Sequence, residues 1–124
     1  MPKKVLLVED DFFIRDLYQK AMELKGFTVI TAVDGGEAIE LYDRERPDIV
    51  LLDIMLPTMS GMDVLKHIRQ SAADDAHIPV IMVTNLDSPE AMEQAQQLGA
   101  DEYWVKSLKP PMDVAESINH YVIN

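Results

Sequence analysis

An aspartate that directly follows four large aliphatic residues is the first candidate for chemistry in this sequence. The run is Ile49-Val50-Leu51-Leu52 and the aspartate is Asp53. Four consecutive aliphatic residues predict a strand buried on both faces, because a half-exposed strand would alternate apolar and polar residues. Open α/β sheets place their ligands at the carboxyl ends of such strands. We therefore expect Asp53 to carry the chemistry of the chain.

Polar residues also end three other predicted strands. An acidic cluster, Glu9-Asp10-Asp11, follows the first strand, Thr84 ends the fourth, and Lys106 follows the fifth. Several carboxylates at one sheet edge repel each other unless a cation lies among them, and oxygen ligands with positions left for water and phosphate suit Mg²⁺. The metal would keep Asp53 ionised, so that it can act as a nucleophile toward a phosphoryl group. Thr84 could donate a hydrogen bond to one phosphoryl oxygen, and Lys106 could pair with another as a point charge.

Five strands alternating with five helices must position these residues. The predicted strands cover about 5–8, 28–32, 49–52, 79–83 and 103–105, and a helical pattern follows each of them. This alternation implies a parallel sheet with right-handed crossovers and helices on both faces. Strands one, three and four are solidly apolar and should be central, whereas strands two and five should lie at the edges. The predicted fold is α/β, a doubly wound five-stranded parallel sheet of order 2-1-3-4-5.

Composition and charge exclude several classes of function. The chain has 124 residues, enough for one domain over 1–124, and it has no cysteine, which rules out disulfides, thiolate metal sites and a cysteine nucleophile. Its net charge of −11 opposes direct contact with nucleic acid or an anionic membrane. No apolar run approaches the ~18 residues of a membrane span, and the short segment before the first strand leaves no room for a signal peptide. We therefore expect a cytoplasmic location.

Taken together and in order, these residues resemble those of a bacterial response-regulator receiver domain over essentially the whole chain. The matching segments are Val8–Asp11, Leu52–Pro57, Ser60-Gly61, Val83-Thr84 and Gly99–Lys106. The resemblance implies a flavodoxin-like fold and a role in two-component or phosphorelay signalling, with a stand-alone receiver as our first expectation. Asp53 would accept a phosphoryl group from a histidine kinase or a histidine phosphotransferase.

The same resemblance implies a set of metal ligands. Glu9 and Asp10 would form the acidic pair that holds Mg²⁺ together with Asp53, and Asp10 would be a direct ligand. The backbone carbonyl of Met55 would be a further ligand. The chain would catalyse only its own phosphoryl transfer and dephosphorylation, so we do not expect an enzyme that acts on other substrates.

The resemblance further implies a switch pair, Thr84 and Tyr103. Phosphate would draw the Thr84 hydroxyl inward, and the Tyr103 ring would follow, which changes the surface formed by helix four, strand five and helix five. Neither helix carries Lys or Arg, so the salt bridges that join dimers of DNA-binding relatives cannot form there. We expect a monomer before phosphorylation and an unknown downstream protein that recognises an acidic face containing Met92 and Met112.

Four positions depart from the common family pattern or affect its chemistry. Ser107 stands where the family usually has proline, and a cis peptide before serine would cost roughly 3 kcal/mol, so we expect a trans bond and a different path for the loop. Asn85 replaces a residue that is usually small. Met55 and Leu86 flank the phosphoryl position, and two apolar side chains cannot orient a hydrolytic water, which predicts a long-lived phosphoaspartate.

Other functions remain open from the residues alone. A pseudo-receiver that binds partners without phosphorylation would accommodate Ser107 and Asn85. A phosphatase with an aspartyl-phosphate intermediate would usually carry a second acid where Met55 stands. A flavodoxin-like cofactor binder would need a first loop that attracts phosphate, whereas Glu9-Asp10-Asp11 would repel it. A receiver fragment of a longer regulator or hybrid kinase is the remaining alternative.

Overall fold

Strands and helices alternate through the part of the chain that the computed structural model describes, residues 3–71 and 77–122. A short 3₁₀ turn over Lys106–Leu108 separates the last strand from the last helix. The sheet is parallel, with the order β2-β1-β3-β4-β5, which confirms the predicted fold class and strand order. In chain order the elements are β1 Lys4–Val8, α1 Phe12–Leu24, β2 Thr28–Ala32, α2 Gly35–Glu45, β3 Ile49–Leu52, α3 Gly61–Ser71, β4 Val80–Thr84, α4 Pro89–Gln97, β5 Glu102–Val105 and α5 Pro111–Val122.

The sheet lies between two apolar layers. On one face, buried residues of α2, α3 and α4 pack against alternate residues of the central strands. On the other face, α1 and α5 pack against the remaining strand residues. All four residues of β3 are fully buried, as expected for a central strand of a doubly wound sheet.

Strand register brings the ends of four strands to one edge. Val8 of β1 pairs with Leu52 of β3, so the residues that follow them are neighbours. Thr84 and Val105 are paired at the ends of β4 and β5. Functional side chains at the ends of these four strands therefore face a common cleft.

Local capping separates the members of the acidic cluster. Asp11 is the N-cap of α1, where its side chain accepts a hydrogen bond from the Ile14 N–H at 3.1 Å. Ser88 caps α4 in the same way, with Pro89 at the first helical position. Asp11 is therefore occupied as a helix cap, which leaves Glu9 and Asp10 to supply the site.

The loop after β3 is held tightly against the strand that precedes it. The Gly61 N–H donates to the Ile54 carbonyl at 2.8 Å. A Cβ atom added at Gly61 would lie 2.0 Å from the backbone carbonyl oxygen of Asp53. Because this neighbour is backbone rather than a flexible side chain, the loop has to move to admit even a methyl group.

We predict that Gly61→Ala lowers the free energy of unfolding by about 1–3 kcal/mol, the usual cost of overpacking. Gly36→Ala in the first turn of α2 is the matched control, because its added Cβ would meet its nearest neighbour at 3.6 Å. Removing a helical glycine should stabilise the protein by about 0.5–1 kcal/mol. Urea unfolding of both variants makes the comparison, and equal midpoints would contradict this account of Gly61.

Candidate functional site

A buried ammonium lies between two buried carboxylates at the carboxyl edge of the sheet. Lys106 Nζ donates to Asp53 Oδ2 at 2.8 Å and also to Glu9 Oε1. The side chains of Lys106, Asp53 and Glu9 are 9%, 7% and 3% exposed, respectively. Charges removed this far from water require a partner, so each of the three groups depends on the other two.

One ammonium pairs with two carboxyl groups here, and this pairing affects the pKa values of Glu9 and Lys106. Burial raises the pKa of the Glu9 carboxyl, although the Lys106 ammonium and the Asp11 N–H act to lower it. Burial acts to lower the pKa of Lys106, but its hydrogen bonds to Asp53 and Glu9 outweigh burial and raise it. The lysine is therefore held as a cation, and this one ammonium lies at a site with three carboxyl groups, those of Glu9, Asp10 and Asp53.

The orientation of Asp53 is fixed from three directions. Its Oδ1 accepts a hydrogen bond from the Met55 N–H at 3.2 Å, and its Oδ2 accepts the bond from Lys106. Its own backbone N–H donates to the Val8 carbonyl at 3.2 Å. The carboxylate is thus presented at the edge of the sheet without freedom to turn away from the cleft.

Three carboxylates converge closely enough to hold a metal ion. Glu9, Asp10 and Asp53 each offer one oxygen, and these oxygens all lie within 4.8 Å of one another. The guanidinium of Arg15 fixes the backbone beneath them by donating to the Glu9 and Asp10 carbonyls at 2.9 and 3.3 Å. An all-oxygen, negatively charged donor set fits a hard divalent cation such as Mg²⁺.

The remaining predicted site residues fall into two places. Thr84 is buried and lines the same cleft as Asp53, Met55 and Lys106. Tyr103 is half-buried and lines a separate groove, between α4 and β5. The structure therefore brings Thr84 to the carboxylates and leaves Tyr103 on the outer side of the sheet edge.

One residue joins these two places through its backbone, and sequence reasoning missed this role. The Leu86 N–H donates to Thr84 Oγ1 at 3.3 Å, and the Leu86 carbonyl accepts a hydrogen bond from the Tyr103 hydroxyl. Leu86 was noted only for its apolar side chain beside the phosphoryl position. Since backbone groups are common to nearly all residues, no residue type in the sequence signals this connection.

The departures from the family pattern leave the site intact. Cis peptide bonds are absent from the described residues, which confirms the expectation of a trans bond before Ser107. The chain continues from Lys106 as a 3₁₀ turn, yet the Lys106 side chain still reaches both carboxylates. Asn85 is exposed and lines the cleft beside Thr84.

Comparison with known proteins identifies the class to which this fold and site belong. The family description "Response regulator receiver domain" matches residues 5–117. The chain belongs to this family, whose members are signalling domains of two-component systems that typically bind Mg²⁺ at an acidic pocket.

Two curated relatives are similar over most of this chain. One is the probable transcriptional regulator ycf27 of Guillardia theta, 40% identical over 108 residues, which cover 87% of this chain and 41% of the relative. The other is the alkaline phosphatase synthesis transcriptional regulatory protein PhoP of Bacillus subtilis, 39% identical over 110 residues, which cover 89% and 45%. The chain therefore spans less than half the length of these relatives.

Solved structures agree in fold. A CheY-like response regulator receiver domain protein from Methanospirillum hungatei superposes with a TM-score of 0.87 at 30% identity, covering 98% of this chain and 94% of that one. The BeF₃-activated N-terminal receiver domain of RstA from Klebsiella pneumoniae gives 0.86 at 30% identity, covering 98% and 99%. Within the described part of this chain, no helix has the length and apolar character needed to cross a membrane.

We predict that Lys106→Met lowers the free energy of unfolding by about 3–5 kcal/mol at pH 7 in EDTA, because two buried carboxylates lose their cation. The loss should be smaller at pH 5. Lys106 acts to lower the pKa of Glu9 against the effect of burial, so its removal should raise that pKa further. An acid whose pKa is raised in the folded state stabilises the fold as the pH falls through that pKa, so the variant should regain more stability than wild type at pH 5.

Lys66→Met on the exposed side of α3 is the control, and it should change stability by no more than about 0.5 kcal/mol at either pH. Urea unfolding at the two pH values measures both variants. A loss in Lys106→Met that is independent of pH would show that carboxylate charge is not its cause.

Proposed function

We propose that this chain is a phospho-accepting receiver whose Asp53 takes a phosphoryl group from the phosphohistidine of a histidine kinase or a histidine phosphotransferase. The observation that carries this proposal is the Lys106 ammonium bound to both Asp53 and Glu9, with Asp10 beside them. In the reaction a carboxylate oxygen of Asp53 bonds to phosphorus and the phosphorus–nitrogen bond breaks. The electron pair stays with the imidazole, which then takes up a proton.

Glu9, Asp10, Asp53 and the backbone carbonyl of Met55 would hold Mg²⁺ at this site. When bound, the metal would neutralise negative charge on the phosphoryl oxygens. The fit rests on the excess of carboxylate over ammonium charge and on the 4.8 Å limit between the three carboxylate oxygens. A divalent cation would supply the positive charge that Lys106 alone does not.

Two side chains of this chain would bind the transferred group. The Lys106 ammonium already lies 2.8 Å from an oxygen of Asp53, so a phosphoryl oxygen attached to Asp53 would come within its reach. The Thr84 hydroxyl acts as an acceptor in its bond with Leu86, and this bond leaves its hydrogen available to a phosphoryl oxygen. Lysine would supply charge and threonine a directed hydrogen bond.

A shift of Thr84 toward the phosphoryl group would be transmitted to the outer surface through Leu86. The Leu86 backbone is bonded to Thr84 on one side and to the Tyr103 hydroxyl on the other. A change in the hydrogen bond from the Leu86 N–H to Thr84 would therefore displace the Leu86 carbonyl that accepts from the Tyr103 hydroxyl. We propose that phosphorylation changes the populations of two arrangements of α4, β5 and α5, and that a downstream protein distinguishes them.

The surface offered to that protein is acidic and contains exposed methionines. Helices α4 and α5 contain no Lys or Arg, and Met92 and Met112 are exposed. We propose a protein partner that supplies basic and apolar groups, and no direct contact of this part of the chain with nucleic acid. We also propose a monomer before phosphorylation, and light scattering that gave a dimer mass for the unmodified protein would contradict it.

Incubation with acetyl phosphate and Mg²⁺ should add the mass of one phosphoryl group to the wild-type protein. We expect no adduct in EDTA and none in Asp53→Asn, because the nucleophilic carboxylate is then absent. Asp63→Asn changes an exposed aspartate in the first turn of α3 and should still be labelled. Intact-mass spectrometry measures all four cases, and a folded wild type that takes no phosphoryl group would favour a pseudo-receiver.

The phosphoaspartate should be long-lived, because the exposed Met55 side chain and the half-buried Leu86 side chain offer no group that orients water. We predict that a Met55→Asn, Leu86→Glu variant loses its phosphoryl group about tenfold faster or more, since a positioned polar side chain commonly contributes at least this factor. Met92→Asn on α4 is the control with unchanged lifetime. Slower loss from the double variant than from wild type would reject this account.

A further inference from the structure

One thioether lies in the open beside the proposed phosphoryl acceptor. Met55 is 62% exposed, more than any other methionine that the structure describes, with Met112 at 46% and Met92 at 40%. Its backbone N–H donates to Asp53 Oδ1. Met55 also lines both the cleft that contains Asp53 and the adjoining cleft over the loop after β3. Its sulfur is therefore accessible to small solutes at the mouth of the site.

Two nearby methionines are less exposed: Met59 in the same loop is partly buried, and Met62 lies in the first turn of α3. Met59 packs on Gly35, where an added Cβ would lie 2.1 Å from Met59 Cγ and 2.7 Å from Met59 Sδ. Met62 is buried at the start of α3. Three methionines within eight positions thus differ sharply in exposure, which provides an internal comparison for any reagent that attacks thioethers.

Oxidation would change the chemical character of this part of the cleft. A hydroperoxide transfers one oxygen atom to the sulfur: the sulfur lone pair forms the S–O bond, the O–O bond breaks, and water is released when the oxidant is hydrogen peroxide. The product, methionine sulfoxide, is polar, and reductases convert it back to methionine. A weak acceptor is thereby replaced by a strong one that can hold a water molecule.

We propose that Met55 is an oxidation site at which conversion to the sulfoxide shortens the lifetime of the phosphoryl group on Asp53. This inference rests on the proposed function, since it requires a phosphorylated Asp53. Hydrolysis forms a bond from a water oxygen to phosphorus and breaks the bond from phosphorus to the Asp53 oxygen. The electron pair returns to the carboxylate, and the proton of the water passes to the released phosphate or to solvent. A sulfoxide oxygen next to the site orients the attacking water by accepting one of its hydrogens.

Selective oxidation is tested on the folded wild-type protein with hydrogen peroxide, followed by quenching and trypsin digestion. The tryptic peptide 45–66 carries Met55, Met59 and Met62 together, so fragment ions report the oxidation of each in one spectrum. We expect Met55 to be oxidised before the other two. Equal oxidation of all three would overturn the inference at this first step.

The lifetime is then measured by phosphorylating oxidised and untreated protein with acetyl phosphate and Mg²⁺, removing the donor, and following the adduct by intact mass. We expect the half-life to fall about two- to tenfold on oxidation, the effect of one additional hydrogen bond in the transition state. Treatment with the two methionine sulfoxide reductases should restore it. Met55→Gln, which places a polar acceptor at the same position, should show a short half-life without oxidant.

Three variants separate Met55 from the other exposed methionines. The half-life of Met55→Leu should not respond to peroxide, whereas Met92→Leu and Met112→Leu should respond as wild type does. An unchanged half-life despite complete Met55 oxidation, or equal shortening in Met55→Leu, would overturn the inference while leaving the proposed function standing. The absence of any adduct on untreated wild type would instead reject the proposed function, and this inference with it.

Discussion

The structure depends on the position of one buried ammonium between two buried carboxylates. Lys106 is 97 residues from Glu9 and 53 from Asp53 along the chain, so these bonds form only when β1, β3 and β5 take their places in the sheet. Since each of these charges is unfavourable in isolation away from water, the ion pairs couple the site to the fold. The same arrangement leaves more carboxylate than ammonium at the cleft, which is why the site fits a divalent cation.

The second organising feature is the backbone of Leu86, which lies between the cleft that contains Asp53 and the groove lined by Tyr103. Its N–H is bonded to Thr84 and its carbonyl to Tyr103. A backbone link of this kind has a defined length and direction, whereas a contact between flexible side chains can be made in several ways. The connection from Thr84 to Tyr103, at the face of α4 and β5, is therefore short, and it consists of two hydrogen bonds on a single residue.

Charge and polarity are distributed unevenly around this route. Positive charge within the cleft comes from Lys106, whereas α4 and α5 have no Lys or Arg on the surface that a partner would meet. The mouth of the cleft is apolar on the side of Met55. In the proposed function, the first property would suit the binding of phosphate, the second would select among partners, and the third would limit access of ordered water to the phosphoryl group.

The sequence by itself determined the order of the strands in the sheet. Unbroken apolar runs favour central parallel strands, which places strands one, three and four inside the sheet. The order 2-1-3-4-5 satisfies this requirement, and it predicts that Glu9, Asp53, Thr84 and Lys106 share one edge. Local chemistry also settled the start of α4, since Ser88 followed by Pro89 is a strong helix-start signal, and the trans bond before Ser107.

Only the tertiary structure decided which member of the acidic cluster caps α1, how closely Gly61 approaches Asp53, and that Leu86 joins Thr84 to Tyr103. It also decided that Leu17 and Leu24, which share the helical spacing of the buried residues of α1, are exposed. These properties depend on distances between segments remote in sequence and on backbone groups that residue types do not distinguish.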